Sequence, residues 1–443
     1  MRGKADMSEA IFLGLGGILS VLFIGALGVP VAYALMTVGI VGMWYVGGFS
    51  FLETTVKMLP YAILSNYSFA VIPMFLLMGA LASAAEITTE LYAFANRLLA
   101  RVRGGLLMAT VVASAIFAAI SGSTIVNASV FTRIALPEMR KFGYDLGVSA
   151  GCIAAAGTFA ALIPPSISLV IVGLLTEASI GALLIAGILP GILTAVMYII
   201  GIGILVRVRP GLVPTERPPV SGISHLQSLL SIGPAILLMF IVLGGIYTGL
   251  MFPSSAGAVG AAGALLIAIM RRKINFEKLW YVIRSSAGST ATLFFIVIGG
   301  LFFSRFLTFG GFIHEVTALV SDWQLTQVQF LIALSILYLI LGMFLDTLSI
   351  LLVTIPFLFP VAVSLGIDEI WFGILVVKLI EIAAITPPVG LNLFAVMGAS
   401  EKRIPSKVIM IGVIPFIVIE LFTLGLIIYF PAISTWLPSH MMN

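Results

Sequence analysis

Gly157-Thr158-Phe159-Ala160-Ala161-Leu162-Ile163-Pro164-Pro165-Ser166-Ile167-Ser168 places two adjacent prolines inside an apolar run long enough to span a bilayer. Proline removes a backbone donor and clashes with the carbonyl four residues earlier, so a continuous helix stops here. Carbonyls near Ala160 to Ile163 lose their partners, and a new half-helix starts near Pro165 with free N–H groups. In hydrocarbon such groups are tolerated only where they line a cavity or hold a ligand. The pattern recurs as Ala384-Ile385-Thr386-Pro387-Pro388-Val389-Gly390-Leu391-Asn392, and 387 minus 164 is 223. Broken helices at corresponding positions of two halves point to the binding site of a transporter.

The chain around these two stretches has 443 residues, 61% of them hydrophobic and 9% charged, with mean hydropathy +1.22. Ordinary soluble domains carry about 25% charge. An all-α polytopic membrane protein is predicted, because apolar runs of near-bilayer length recur from end to end. No polar stretch is long enough to form a soluble domain, so any binding module outside the membrane belongs to another chain. The net charge of +4 comes from loop lysines and arginines and gives no reason to expect a nucleic-acid partner. The lone Cys152 sits among alanines and glycines, where a small packing role outweighs a redox one. No small-residue cleavage site follows the first apolar run, which is therefore expected to be retained as a span.

The offset of 223 is not confined to the prolines. Pro30 pairs with Pro253, Pro137 with Pro360, Gly143 with Gly366 and Asp145 with Asp368. A duplicated unit is predicted, residues 1–222 and 223–443, joined by the proline-rich segment 207–219. In the first unit, scaffold spans fill 9–85 and an interfacial arm occupies 90–103. A re-entrant hairpin runs over 106–136 with a polar tip at Ser121-Gly122-Ser123-Thr124, a broken helix over 146–175, and a span over 180–206. The second unit repeats this with scaffold spans in 229–303, an arm at 309–324, a hairpin at 327–365, a broken helix at 370–399 and a span at 408–430. Its hairpin tip falls at Leu345-Asp346-Thr347, since 346 minus 223 is 123.

Charge suggests the orientation. The second unit carries Arg271-Arg272-Lys273 and Lys278 after its second span, whereas the matching first-unit loop 48–59 holds only Lys57 and Glu53. With the basic segment cytoplasmic, the loop 48–59 lies outside and the two repeats have inverted topology. The first hairpin then enters from the cytoplasm and the second from outside.

The two hairpins and breaks together resemble a known family. Ser-Gly-Ser at the first tip, Gly-Thr-Phe-Ala-Ala-Leu-Ile-Pro-Pro-Ser after it, and Leu-Gly-Met-Phe-Leu-Asp-Thr with Ile-Thr-Pro-Pro-Val-Gly-Leu-Asn in the second half are similar to the large membrane subunit of TRAP transporters, the tripartite ATP-independent periplasmic family. The resemblance covers essentially the whole chain. It departs from the pattern at Thr124-Ile125-Val126-Asn127, which is bulkier than the small-residue run expected there. The resemblance implies a bacterial inner-membrane protein that takes up an organic acid by sodium symport through an elevator-type transport domain. It also implies a periplasmic substrate-binding protein and a four-helix small membrane subunit as partners, with membrane lipid around both subunits. A self-sufficient sodium-coupled carboxylate carrier of related architecture is the alternative.

A sodium ion needs about five or six oxygens, and freed carbonyls beside hydroxyl-bearing tips can supply them. At least two sodium sites are expected and no organic cofactor. One candidate sodium site combines Ser121 and Ser123 with backbone around Ala160, Ile163 and Pro165. The other combines Asp346, Thr347, Thr386 and Gly390. Ser166 and Ser168 open the half-helix after Pro165, where free N–H groups favour a substrate carboxylate, or else simply cap the helix. Ser123, Asp346, Asn127 and Asn392 complete the candidate substrate contacts, although both asparagines also suit helix packing. Lys378 and Glu381, three apart, are expected to pair with each other. Arg133, Arg305 and Glu420 are expected near span ends, where long side chains snorkel. An intramembrane enzyme is disfavoured, because no acid cluster, metal cluster or nucleophile with its base is evident at one depth.

The orientation is directly testable. Single cysteines at Ser50 and Asn275, in a Cys152→Ala background, should react with a membrane-impermeant thiol reagent from opposite sides of the membrane. Labelling of both from one side would rule out inverted repeats.

Overall fold

The computed structural model describes residues 7–214 and 225–441, all of it in helices, turns and loops. Residues 215–219 of the joining segment, and Arg2 and Lys4 at the start, lie outside the described part. The first half contains α1 (Met7–Ala26), α2 (Val31–Ser65), α3 (Val71–Ala84), α4 (Ile87–Leu99), α5 (Gly105–Ser121) and α6 (Thr124–Lys141). These are followed by α7 (Leu146–Gly157), α8 (Phe159–Leu162), α9 (Ile167–Thr176), α10 (Ile180–Ala186) and α11 (Ile188–Val208). The second half contains α12 (His225–Tyr247), α13 (Pro253–Met270), α14 (Phe276–Phe309), α15 (Phe312–Asp322) and α16 (Gln327–Gly342). It closes with α17 (Thr347–Ser364), α18 (Glu369–Ile385), α19 (Leu391–Ala399), α20 (Ser406–Tyr429) and α21 (Ala432–Ser439).

Among the described residues, eight helices are long and apolar enough to cross a membrane, or nine when the bent pair Leu146–Leu162 and Ile167–Thr176 counts as one broken span. That pair bends by 41° at the two prolines. The offset of 223 also separates the starts of whole helices. Helix α17 starts 223 residues after α6, 347 minus 124, and α18 starts 223 after α7, 369 minus 146. Aspartates cap both broken helices: Asp145 accepts from Val148 N at 2.8 Å and Asp368 from Trp371 N at 2.8 Å. A side-chain acceptor at this position satisfies a helix N-terminus, worth about 1 kcal/mol each.

Two departures from the sequence reading concern the scaffold. Residues 48–59, expected as a loop, are helical within α2, and only Gly48 leaves helical geometry (φ 73°, ψ −179°). A positive φ costs glycine little, so one residue makes the turn that Arg271 to Asn275 makes in the second half. Past the turn, Lys57 and Glu53 pair at 2.6 Å across one helical turn. The other departure is α14, which continues over 34 residues where a span of 286–303 is predicted. The first half instead breaks at Asn66, whose side chain accepts from Ser68 N at 2.9 Å.

Packing separates two groups of helices that share an interface. Helices α2 with α14 and α3 with α13 form one group, while α7 with α20, α6 with α19 and α16 to α18 form the other. Small residues set the second group's spacing. A Cβ placed on Gly412 of α20 would lie 2.0 Å from the carbonyl of Gly147 on α7, so only glycine allows that backbone approach. Contacts of α5 with α3 and α4, and of α17 with α14, join the groups. At the edge of the first group, Lys273 pairs with Glu86 at 2.7 Å and Arg271 with Glu90 at 2.6 Å. These two bridges tie the basic turn after α13 to the start of α4.

Candidate functional site

The first break is built by what the prolines withhold. Pro164 and Pro165 have no N–H, so the carbonyls of Ala160 and Ala161 lose their ordinary helical donors. Ser166 repairs one of these: its hydroxyl donates to Ala161 O, and its oxygen accepts from Leu169 N at 3.1 Å as the cap of α9. Ile163 N donates to Phe159 O at 2.7 Å, closing α8. The Pro164–Pro165 and Pro387–Pro388 peptide bonds are both cis.

The first hairpin tip lies against this break. Gly122 has φ 61°, and a Cβ built there would sit 2.7 Å from Pro165 O. The flanking Ser121 and Ser123 are therefore brought to the break that carries Ala160, Ile163 and Pro165. Ser121 is buried, and its hydroxyl has no hydrogen-bond partner; Ser123 caps α6 by position without a side-chain bond. A buried hydroxyl without a partner, beside carbonyls that have lost their helical donors, suits a hard cation.

The second tip and break also approach each other, less directly. Gly342, at the end of α16, packs on Ala383 of α18, three residues before Thr386. Asp346 caps α17: its carboxylate accepts from Leu348 N and Ser349 N, both at 3.2 Å, and from the Ser349 hydroxyl. Thr347 follows it and is half-buried. Thr386 donates to Ile382 O at 2.7 Å, and Gly390 starts α19 with φ 54°. The carboxylate of Asp346 thus caps its own first turn, the local role that a helix N-terminus offers any acid.

Other candidate substrate contacts separate into two groups. Asn127 is fully buried inside the hairpin, where its amide donates to Ser114 O at 3.3 Å and its carbonyl accepts from the Ser114 hydroxyl at 3.1 Å. Asn392 is fully buried as well and donates to Ala154 O at 3.0 Å, linking the two broken helices; its own carbonyl oxygen has no partner. Ser168 is buried in the first turn of α9. Of these candidates only Ser121 and Ser123 border the cavity described next.

A cavity of 560 Å³ lies between the first tip and the scaffold helices α3 and α14. That volume falls in the range of small-molecule sites, about 300–1,000 Å³. Ser121, Ser123 and Ser286 line it, together with Arg133 and Lys278. Lys278 donates to Ala84 O and Lys273 O, both at 2.9 Å, which holds its charge at the rim. Arg133 is exposed and has no hydrogen bond or ion pair among the described residues. Sequence reasoning left Arg133 to snorkelling and passed over the wall formed by α14. The signal was present: Lys278, Ser285 and Ser289 recur at helical spacing and mark one polar face on a largely apolar helix.

Sequence reasoning also placed Glu420 near a span end. The structure buries it completely, next to Lys378 and Glu381. The predicted Lys378–Glu381 pair is present at 2.9 Å. Both acids lie far along the chain from the tyrosine and threonine that complete their group, so no local pattern signalled it.

Among the described residues, eight or nine helices long and apolar enough to cross a membrane, two helices broken at proline pairs and a cavity between the first tip and the scaffold define a multi-pass membrane protein of transporter type. A family model for the tripartite ATP-independent periplasmic transporter, DctM component, matches residues 18–433. The chain belongs to this DctM family of TRAP transporters. It is 35% identical over 378 residues to the C4-dicarboxylate TRAP transporter large permease protein DctM of Pseudomonas aeruginosa, covering 84% of this chain and 87% of the relative. It is 29% identical over 380 residues to the sialic acid TRAP transporter large permease protein SiaM of Vibrio cholerae, covering 85% and 87%. The fold is similar to that of the Alcanivorax borkumensis YdaH transporter, with TM-score 0.58 over 87% of this chain and 89% of the other, at 14% identity. Each of these relatives is named as a transporter, which agrees with the reading against an enzyme.

Two substitutions separate packing from ligand binding at the tip. Gly122→Ala adds a Cβ against Pro165 O in a left-handed conformation and should lower stability by about 1–3 kcal/mol, measured as a fall in Tm. Ser121→Ala removes a hydroxyl with no partner to lose, so Tm should stay within about 0.5 kcal/mol of the parent. A large loss of stability in Ser121→Ala would show that the hydroxyl is structural.

Proposed function

We propose that the chain is the large transmembrane subunit of a sodium-coupled importer of small organic anions in the bacterial inner membrane. The observation that carries this reading is the cavity between the first tip and α14, where hydroxyls meet Arg133 and Lys278. A carboxylate is recognised by such donors through charge-assisted hydrogen bonds, roughly twice as strong as neutral ones. A C4-dicarboxylate comes first as cargo, from the DctM relative at 35% identity, and a sialic acid second, from the SiaM relative at 29%.

Sodium fits the oxygens around Ser121, Ser123 and Pro165 at one end of the cavity. A second sodium ion would use Thr386 and Gly390 at the other break, with Asp346 supplying charge. The hairpins and broken helices pack as one group against the scaffold, and an elevator movement of that group would carry the cavity across the membrane with repeats of inverted topology. A periplasmic binding protein would deliver the substrate, and a four-helix small membrane subunit would cover the scaffold's exposed apolar face, which includes Trp44, Tyr45 and Phe49.

Reconstitution in proteoliposomes tests this. Supplied with a small membrane subunit and a periplasmic binding protein of the family, the chain should take up succinate only under an inward sodium gradient, and alone it should show none. Robust uptake by the chain alone would favour a self-sufficient carrier. Arg133→Gln should raise the KM for the anion by about tenfold, the loss of one charge-assisted hydrogen bond of about 1.5 kcal/mol, with Tm unchanged. An unchanged KM would remove Arg133 from the substrate path.

Asp346→Asn distinguishes a ligand from a cap. Asparagine keeps an acceptor for Leu348 N and Ser349 N, so insertion should be normal in either case. A sodium ligand predicts a weakened sodium dependence and little transport; parental sodium-dependent uptake would leave Asp346 as a cap alone.

A further inference from the structure

Away from the cavity, one lysine and two glutamates are completely buried together. Lys378 Nζ bonds Glu381 Oε2 at 2.9 Å and the Thr194 hydroxyl at 2.9 Å, and it also contacts Glu420 Oε2. The Tyr198 hydroxyl donates to Glu420 Oε1. Thr194 in turn donates to Pro190 O at 2.8 Å. Three elements meet here: α18 supplies Lys378 and Glu381, α20 supplies Glu420, and α11 supplies Tyr198 and Thr194.

With all three charged groups ionised, the cluster would hold a net charge of −1 in the protein interior. An uncompensated buried charge costs several kcal/mol. The hydrogen bonds show where compensation is required. Glu420 Oε1 accepts from the Tyr198 hydroxyl, and its Oε2, which makes no hydrogen bond, lies in ion-pair contact with the ammonium. Glu381 has one oxygen on Lys378, while its other, Oε1, is buried with no partner. One free oxygen is too few for sodium, which needs about five or six, but it is the number a proton needs. No other cation is available from the neighbouring elements. The remaining charged residues on these helices, Glu369, Lys407 and Arg207, sit in end turns. Lys407 belongs to the first turn of α20, about 20 Å along the axis from Glu420. The titratable groups of the packed helices α7 and α16, Cys152 and Tyr338, are neutral.

We infer that Glu381 is a proton-binding site, holding one proton on Oε1 so that Lys378 and Glu420 form a neutral pair beside it. The site is peculiar to the second repeat. Subtracting 223 places Glu381 on Thr158 and Lys378 on Ala155, and Thr158 closes its own bond to Ala155 O at 2.7 Å without any charge. Glu381 stands five residues before Thr386, so the proton fixes the charge within about two turns of the second break. This inference does not depend on which ions or anions the protein carries.

Infrared difference spectroscopy of the purified protein in nanodiscs tests it without any variant. At neutral pH the parent should show a protonated-carboxyl band equivalent to one residue, unchanged when sodium replaces potassium. Absence of the band, or its removal by sodium at constant pH, would overturn the inference, the latter in favour of a bound metal cation. Glu381→Gln imitates the protonated acid and should lose the band while keeping the parental Tm at neutral pH. Alkaline pH should lower the Tm of the parent, by removing the proton and leaving a net buried charge, but should leave Glu381→Gln unaffected. Glu420→Gln removes the charge that both Tyr198 and Lys378 bind and should lower Tm at neutral pH. If Glu420→Gln were the tolerated variant and Glu381→Gln the destabilised one, the proton would belong to Glu420.

Discussion

Satisfaction of backbone polar groups inside a membrane protein is the constraint on which this structure depends. An orphan carbonyl in an apolar surrounding costs several kcal/mol, and four prolines in two pairs create such orphans in the middle of two helices. The fold answers in a graded way. Ser166 restores one lost bond, the hairpin tip at Gly122 is pressed close to the break, and Ala160 O is left without its helical donor. This incomplete repair is what the proposed cation site rests on.

The two halves solve the same problem with different chemistry. In the first, the tip carries uncharged serines, and the hydroxyl of Ser121 has no partner. In the second, the tip carries Asp346, which satisfies the start of its own helix, and the helix before the break carries Lys378 and Glu381 where the first half has Ala155 and Thr158. The two halves share helix starts at one offset, while among the described residues the buried charge lies in the second half alone. The cavity follows this asymmetry, since its cations and hydroxyls surround the uncharged tip.

Much of this was legible in the sequence, for identifiable reasons. Proline pairs, capping aspartates and tip hydroxyls act within a few residues, and the offset of 223 repeats them, so both hairpins and both breaks could be placed. Gly48 was misread because a single left-handed residue replaces an entire loop, and hydropathy does not register φ. The α14 wall was missed because its serines are spread through an apolar helix whose average hides a polar stripe. Glu420 was misplaced because its partners, Tyr198 and Lys378, come from distant segments. Pairing of that kind depends on how helices pack, which no window of sequence contains.

The bridges between the basic turn and α4 have a mechanical consequence. Glu86–Lys273 and Glu90–Arg271 are partly solvated, so each contributes at most about 1 kcal/mol and weakens as ions crowd the surface, with a screening length of about 8 Å at physiological salt. Lys273 holds the Glu86 carboxyl below the ordinary glutamate range, so that bridge persists at neutral pH and is lost as the pH falls through the acidic range. The joint between α4 and the α13–α14 turn is therefore a soft one, stiffened in dilute neutral medium and relaxed by brine or acid. The helices on either side of it are held by glycine and alanine contacts that neither condition touches. The stiffness of this joint is thus set by the two partly solvated ion pairs rather than by apolar packing.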